Sequence, residues 1–307
     1  MLVGSVLAMD PLLVITNSDA GSADQESLDA ALHVLRAEAS VEVAATSNPG
    51  ELDGVLHRAA SRRLVVAGGD GSLHAVVAAL HRRNELKEKV LGLIPLGTGN
   101  DFARGTGIPL DPGEAARLVL HGEVRRVDLI VDELGEIVVN NVHAGIGAQA
   151  SRKAERWKGR LGRVGLGRLG YPVGALLSAF QPPHVRLHIE VDGKTVVGVD
   201  QPVLQIALGN GSRVGGGTEL NPEADPESGR IDVVISRAIG PLARLGYVVH
   251  LRRGEHPGRD DVINVRAGEV SISGEEFWCS ADGEIYGPER QRTWHVEPAA
   301  FAMTLPS

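Results

Sequence analysis

Short runs of aliphatic and β-branched residues alternate with longer amphipathic stretches in the first part of the chain. Such runs, bounded by turn residues, are typical of buried strands, and apolar residues three or four positions apart are typical of helices. The pattern predicts strands over 12–16, 41–45, 65–68 and 90–94, and helices over 24–39, 49–60, 72–83 and 112–121. Strands that alternate with helices form a parallel sheet.

Beyond residue 122 the pattern changes to apolar runs joined by short turns. A hairpin is predicted from 124–131 and 136–141, and further strands over 185–191, 194–199, 203–208, 231–236, 262–266, 270–273 and 294–296. Strands joined by tight turns are typical of an antiparallel sheet or sandwich. We therefore predict an α/β domain with a parallel sheet over 1–127 and an all-β, sandwich-like domain over 128–289. A return of 290–307 to the first domain is left open.

Composition narrows the classes of function. A net charge of −8 over 307 residues argues against a general nucleic-acid binder. Cys279 is the only cysteine, which excludes an internal disulfide and a cysteine metal cluster. No apolar run reaches the length that a transmembrane helix needs. We therefore expect a cytoplasmic protein that visits a membrane surface.

Glycine-rich polar loops follow the predicted strands of the first domain. Because the carboxyl ends of parallel strands share one sheet edge, residues 17–21, Thr46, 68–72 and 97–101 are predicted to converge there. Glycines before a helix expose backbone N–H groups that can hold a phosphate. The sequence therefore predicts a nucleotide-sized site. The alternative for each loop is ordinary turn chemistry, with Asp70 as a helix cap.

A basic segment covers residues 152–168 and carries Trp157 among its cations. Its members are Arg152, Lys153, Arg156, Lys158, Arg160, Arg163 and Arg168, opposed by Glu155 alone. In an acidic protein this bias indicates a patch for anionic lipid headgroups or a substrate phosphate. The alternative is a solvated helix face.

Five motifs occur in an order that resembles the diacylglycerol kinase catalytic-domain family. They are Gly68-Gly69-Asp70-Gly71-Ser72, Gly97-Thr98-Gly99-Asn100-Asp101, Asn140-Asn141-Val142-His143, Pro222–Val233 and Ala281-Asp282-Gly283-Glu284. That family includes bacterial diacylglycerol kinases, YegS-like lipid kinases and sphingosine kinases. The resemblance implies a first domain similar to NAD kinases and phosphofructokinases, a β-sandwich second domain, and transfer of the ATP γ-phosphoryl group to a lipid hydroxyl with Mg²⁺.

The resemblance also implies roles for individual residues. Glu284, with Asp282, would form the general-base site. The nucleotide would be bound by Asn17, Gly21, Thr46, Gly68, Gly69, Asp70, Gly71, Ser72, Leu73, Thr98, Asn100 and Asp101. Mg²⁺ ligands would be Asp70 and Asp101, with Asp225 as a substitute ligand at the structural ion site that bacterial members often have.

This sequence departs from the family pattern at several positions. His74-Ala75 stands where the family usually has Asn-Glu, the first loop lacks the usual proline after Asn17, and Ser228 replaces the aspartate that holds a structural Mg²⁺. Two alternatives stay open: a soluble-substrate kinase of the NAD kinase type, and a nucleotide-binding regulator without turnover. The lipid acceptor and the oligomeric state, including a homodimer, also stay open.

Overall fold

The computed structural model describes residues 11–18, 22–60, 62–145 and 185–307. Gly21 and the basic segment 152–168 therefore lie outside the described residues. The chain divides into two compact units. The first runs to Val127 and includes Ala299–Ser307, and the second is Asp128–Pro298.

The first unit is built from parallel strands and helices, as the sequence predicts. Its strands are β1 (Leu12–Asn17), β2 (Val41–Thr46), β3 (Arg63–Gly68) and β4 (Val90–Pro95). Its helices are α1 (Ser22–Glu38), α2 (Pro49–Arg58), α3 (Asp70–Arg82), α4 (Asp101–Thr106) and α5 (Pro112–His121). The strands pair in parallel in the order β2-β1-β3-β4. All four therefore end at one sheet edge, which confirms the predicted edge for the glycine-rich loops.

Burial explains which strands are central. Leu12, Val14 and Val65 are fully buried, and they pack with apolar residues of α1 and α5. Edge strand β2 is only partly covered, and Val43 is exposed. An apolar run without alternation is what a strand covered on both faces requires.

Two helix starts follow the capping rule that the sequence shows. The Oδ1 atom of Asn48 accepts a hydrogen bond from the backbone N–H of Glu51 at 3.0 Å, and Pro49 begins α2. Asp111 Oδ1 accepts from the backbone N–H of Glu114 at 2.9 Å before Pro112 begins α5. An N-cap oxygen satisfies a backbone N–H that the first helical turn leaves without a partner.

The end of the chain returns to the first unit. Ala302 pairs in parallel with Val90, and Met303 with Leu91, on the free side of β4. The returning segment begins at Ala299, so residues 290–298 belong to the second unit.

The second unit is an antiparallel β-structure, which confirms the predicted fold class. Its strands are β5 (Glu123–Asp132, which begins before the boundary), β6 (Ile137–Val138), β7 (Asn141–Gly145), β8 (Val185–Val191), β9 (Lys194–Val197), β10 (Pro202–Val203), β11 (Gln205–Gly209), β12 (Arg213–Val214), β13 (Thr218–Glu219), β14 (Ile231–Ser236), β15 (Val262–Ala267), β16 (Glu269–Ala281) and β17 (Glu284–Leu305, which continues into the first unit). The main order is β15-β14-β11-β7-β16-β17, and β8 also pairs with β16.

The second unit also contains a helix that the sequence pattern did not predict, α6 (Pro241–Leu251). The core of this unit is aliphatic, with Phe277 and Trp294 as its large members. No helix in the described ranges is long and apolar enough to span a membrane.

Candidate nucleotide loops and acidic turn

Two glycine loops of the first unit contact each other through their backbones. A Cβ added to Gly97 would lie 2.6 Å from the Cα of Gly69, and one added to Gly69 would lie 3.0 Å from the Cα of Gly97. No side chain fits between the loops, so glycine is required at both positions. The backbones of the two loops therefore approach each other more closely than residues with side chains allow.

Asn100 fixes the shape of the second loop. Its backbone is left-handed, with φ +51° and ψ +44°. Its side chain accepts a hydrogen bond from the Gly97 N–H at 3.0 Å and donates one to the Gly97 carbonyl at 2.7 Å. Asn100 is buried, so this residue acts as an internal clamp of the loop. Asparagine tolerates this conformation better than most residues do.

Asp70 joins the two loops. One carboxylate oxygen accepts the backbone N–H of Asp101 at 3.0 Å, and the other accepts that of Phe102 at 3.0 Å. Asp70 is the first residue of α3, and Asp101 is the first residue of α4. The carboxylate therefore caps a helix that starts 31 residues later in the chain. Asp70 therefore caps α4, whereas the alternative stated from the sequence was that it caps α3, the helix that it begins.

Helix α3 begins two residues earlier than predicted, and this changes the role of Leu73. The backbone N–H groups of Ser72 and Leu73 both donate to the carbonyl of Gly69, at 3.0 and 3.1 Å. The Leu73 side chain is buried in the core. Both N–H groups are therefore used within the first turn of the helix, whereas the sequence predicted that they would hold a phosphate. Gly71 is exposed, and a Cβ added there would meet nothing within 4 Å.

The loops after β1 and β2 are also joined. The Ser18 N–H donates to the Thr46 carbonyl at 3.1 Å, and the Thr46 hydroxyl donates to the Thr16 carbonyl at 3.5 Å. Asn17 is exposed at the end of β1. These bonds hold the predicted nucleotide residues Asn17 and Thr46 on the same sheet edge as the glycine loops.

The acidic turn of the second unit is a two-residue hairpin between β16 and β17. Asp282 and Gly283 both have positive φ values, +46° and +92°, and Ala281 pairs with Glu284 across the turn. This backbone is typical of the turn that Asp-Gly favours between antiparallel strands. The ordinary hairpin interpretation of Asp-Gly is therefore also correct.

The Asp282 carboxylate is occupied by backbone donors. It accepts hydrogen bonds from the N–H groups of Val139 at 2.7 Å, Asn140 at 2.9 Å and Asn141 at 3.1 Å. The Asp282 N–H in turn donates to the Asn141 carbonyl at 3.0 Å. Asp282 therefore anchors the turn to residues 139–141.

Glu284 is exposed beside this anchor. The hydroxyl of Tyr286 donates to Glu284 Oε2 at 3.2 Å. Burial raises the pKa of Tyr286, and the adjacent Glu284 carboxylate raises it further, so the phenol stays protonated as a donor. Glu284 therefore combines solvent access with an orientation set by its neighbour.

His143 is a buried histidine on the strand next to this turn. It lies opposite Ser280 in the pairing of β7 with β16. Burial lowers its pKa to about 4, so the ring is neutral at physiological pH. Its Nδ1 atom has no hydrogen-bond partner within the described part of the chain.

Comparison with known proteins identifies the family. The diacylglycerol kinase catalytic domain matches residues 11–131, and the YegS C-terminal NAD kinase beta sandwich-like domain matches residues 140–305. The chain belongs to the diacylglycerol kinase catalytic-domain family. Its enzymes of the YegS-like type are lipid kinases, which confirms the resemblance stated from the motifs.

Individual relatives and a solved structure agree with this family. A protein of Xanthomonas oryzae pv. oryzae (strain MAFF 311018) named "Probable lipid kinase YegS-like" is 32% identical over 93% of this chain and 94% of its own. One of Chromohalobacter salexigens with the same name is 36% identical, over 61% of this chain and 58% of its own length. A diacylglycerol kinase structure from Bacillus anthracis str. Sterne superimposes with a TM-score of 0.75 at 23% identity, covering 96% of this chain and 97% of that one. The last similarity shows the fold.

The diacylglycerol kinase family motifs fall into two groups in this chain. The first unit holds the proposed nucleotide residues Gly68, Gly69, Asp70, Gly71, Ser72, Thr98, Asn100 and Asp101 on two contacting loops. The second unit holds Asp282 and Glu284 on one turn.

Asp225 stays a prediction as a metal ligand. Its Oδ1 atom accepts from the Glu227 N–H at 3.0 Å, and its carbonyl accepts from the Ser228 hydroxyl at 2.8 Å. Asp128 accepts the Gly229 N–H at 2.5 Å in the same turn. Within the described ranges, no three His, Cys, Asp or Glu side chains come together as a metal site.

Sequence reasoning missed two features of this diacylglycerol kinase family member. The Asp70 carboxylate caps α4, whose first residues are distant from it in sequence, so no local pattern indicates this contact. Tyr286 is two residues from Glu284, and an i, i+2 pair on one strand lies on the same face. That spacing is a signal that could have indicated Tyr286.

Proposed function

We propose that this chain transfers the γ-phosphoryl group of ATP to the hydroxyl of a lipid, with diacylglycerol or a related lipid as the acceptor. Membership of a lipid kinase family supports the reaction class. The observation that carries the ATP assignment is the backbone contact between Gly69 and Gly97, locked by Asp70. Catalysis of phosphoryl transfer depends on positioning and on charge stabilisation, and a rigid loop pair supplies the first.

The nucleotide phosphates would lie against the loop pair. Gly68, Gly69 and Gly71 offer backbone without side chains, and Gly71 opens onto free space at the start of α3. The positive end of a helix dipole favours an anion there. Thr46, Asn17 and Thr98 are polar side chains on the same edge and would line the rest of the nucleotide.

Two carboxylates fit a Mg²⁺ ion that the nucleotide brings. Mg²⁺ in kinases is held by one or two carboxylates together with phosphate oxygens and waters, so a cluster of three protein ligands is not needed. Asp70 and Asp101 both carry hard oxygen donors, and the Asp101 N–H donates to the Asp70 carboxylate at 3.0 Å. When bound, the ion neutralises charge on the transferring phosphate. The two hydrogen bonds that Asp70 accepts assign it first to positioning the loops.

The acid–base work is assigned to Glu284. A group that accepts the proton of the lipid hydroxyl needs accessible oxygens, and Glu284 is exposed, whereas three backbone amides occupy Asp282. Asp282 therefore acts as a positioning residue, and Tyr286 holds the Glu284 carboxylate through its hydroxyl. The basic segment 152–168 stays a prediction for contact with anionic lipid.

The test measures transfer of label from γ-labelled ATP, with Mg²⁺, to diacylglycerol, monoacylglycerol, sphingosine, phosphatidylglycerol and NAD. We expect label in one of the lipids. In Glu284→Gln the turnover should fall by about 10²- to 10⁴-fold, the usual contribution of a general base, while ATP binding stays unchanged. Glu276→Gln is the matched control, because Glu276 is an exposed glutamate of the same hairpin whose partner is Arg290. Label in NAD, or full activity in Glu284→Gln, would overturn the assignment.

A further inference from the structure

Helix α6 exposes apolar side chains on its outer face, in addition to those that it packs against the protein. Its outer face carries Leu242, Leu245, Val248 and Val249, and the side chains of Leu242 and Leu245 are 84% and 64% exposed. Its inner face carries Arg244 and Tyr247, both buried, and the partly buried Ala243 and Leu251. A surface helix of a globular protein normally places its apolar stripe inward.

The inner face is fixed by specific contacts, so the exposure of the outer face is specified by the fold. The Tyr247 hydroxyl accepts a hydrogen bond from the Gln205 side-chain amide at 2.9 Å. The Tyr247 ring packs edge-on against the ring of His256, with centroids 5.6 Å apart. His256 Nε2 in turn donates to the Leu220 carbonyl at 2.9 Å. A rotation of α6 that buried its leucines would break these contacts.

Charge on α6 also departs from the rest of the protein. The stretch 241–253 contains no aspartate or glutamate, although the chain has a net charge of −8. Two exposed arginines, Arg252 and Arg253, follow the apolar face directly. At 100° per residue, the C-cap residue Arg252 falls on the same side of the helix as Leu245 and Val249.

We propose that the outer face of α6 docks onto an anionic lipid bilayer, with its leucines and valines at the acyl boundary and Arg252 and Arg253 at the headgroups. An apolar face next to cations is the pattern of helices that lie in the membrane interface. Anionic headgroups attract such cations, while the acidic remainder of the protein is repelled. This inference rests on the proposed function in one respect: a lipid kinase meets its acceptor at a bilayer.

The test is sedimentation of the whole protein, without ATP, with vesicles of phosphatidylcholine alone or mixed with phosphatidylglycerol. We expect binding to the mixed vesicles that weakens with salt. In Leu242→Ser/Leu245→Ser the affinity should fall about tenfold or more, since two exposed leucines no longer enter the interface. Arg252→Gln/Arg253→Gln should weaken binding to mixed vesicles and reduce its salt dependence, while any contribution of the basic segment 152–168 remains.

The matched control is Leu134→Ser/Val199→Ser, because these residues are 70% and 54% exposed elsewhere in the same unit. It should leave vesicle binding unchanged. Equal binding by the Leu242→Ser/Leu245→Ser variant and the wild type would overturn the proposal. Loss of a dimer in that variant by light scattering, with vesicle binding intact, would assign the face to a second copy and also overturn it. Activity on a short-chain, water-soluble diacylglycerol should be unchanged, whereas a failure of the proposed kinase function would abolish it in the wild type too.

Discussion

Replacing Asp70 by asparagine tests whether this carboxylate holds the loops together before any nucleotide binds. Asp70 accepts the N–H groups of Asp101 and Phe102, both at 3.0 Å. An asparagine side chain offers one oxygen, so one of these N–H groups would face an NH₂ group instead. A hydrogen bond to a charged group contributes about 1.5–3 kcal/mol, so we expect Asp70→Asn to destabilise the start of α4 by about 2 kcal/mol.

Hydrogen exchange followed by mass spectrometry measures this locally. About 2 kcal/mol corresponds to about 30-fold faster exchange of the α4 amides when opening is rapid. The measurement uses protein without ATP or Mg²⁺. Asp111→Asn is the matched control, because Asp111 caps α5 with one oxygen and asparagine is an equally good N-cap. Exchange in α5 should therefore change little.

The two roles of Asp70 give different results. If Asp70 were only a ligand of the nucleotide-bound Mg²⁺, Asp70→Asn would leave exchange of the apoprotein unchanged and weaken only Mg²⁺-dependent ATP binding. That outcome would refute the role of Asp70 in holding the two loops together. Slower folding or a global loss of structure would appear as faster exchange in β1 and β3 as well, and this distinguishes a local effect from unfolding.

Two further predictions concern His143 and Gly97. Because burial lowers the pKa of His143 to about 4 from an ordinary value of 6.5, the unfolded chain takes up a proton that the folded chain refuses as the pH falls between these values. The free energy of unfolding is therefore unaffected by this group above pH 6.5 and falls by about 3 kcal/mol toward pH 4. Urea titrations at several pH values should show a shallower fall in His143→Gln than in the wild type. An equal fall in both proteins would contradict the prediction. Gly97→Ala should push the loops apart, lowering both the melting temperature by circular dichroism and ATP affinity, whereas Gly71→Ala, with open space around its Cβ, should melt like the wild type.

The parallel sheet could be predicted because each of its strands is indicated by the residues of that strand alone. A buried run such as 12–16 carries its own hydrophobic signal, and Asn48-Pro49 marks a helix start by capping chemistry alone. The order of motifs then predicted the family. These features need no knowledge of which distant residues meet.

The contacts that shape the site could not be predicted in the same way. Asp282 accepts hydrogen bonds from the amides of Val139, Asn140 and Asn141, which are 143, 142 and 141 positions away. A backbone N–H is present at every residue except proline, so the sequence contains no mark of the one that a distant carboxylate will select. The role of Asp282 as an anchor therefore became visible only in the fold.

Helix α6 was missed for a different reason. Its apolar residues lie on both the inner and the outer face, so they do not form the single stripe that marks an amphipathic helix. Periodicity predicts a helix from one apolar stripe, and it gives a weak signal where exposed apolar residues occupy the outer face as well.

The last strand has a consequence for the order in which the protein acquires its structure during synthesis. Ala302 and Met303 complete the edge of β4, although β4 itself is made some two hundred residues earlier, at Val90–Pro95. The ribosome therefore produces all of the second unit before it produces the strand that finishes the first. Domains often fold in the order of synthesis. The edge of β4 therefore stays without this partner strand until residues 302–303 have been made, and an unpaired strand edge is a site at which another chain can pair.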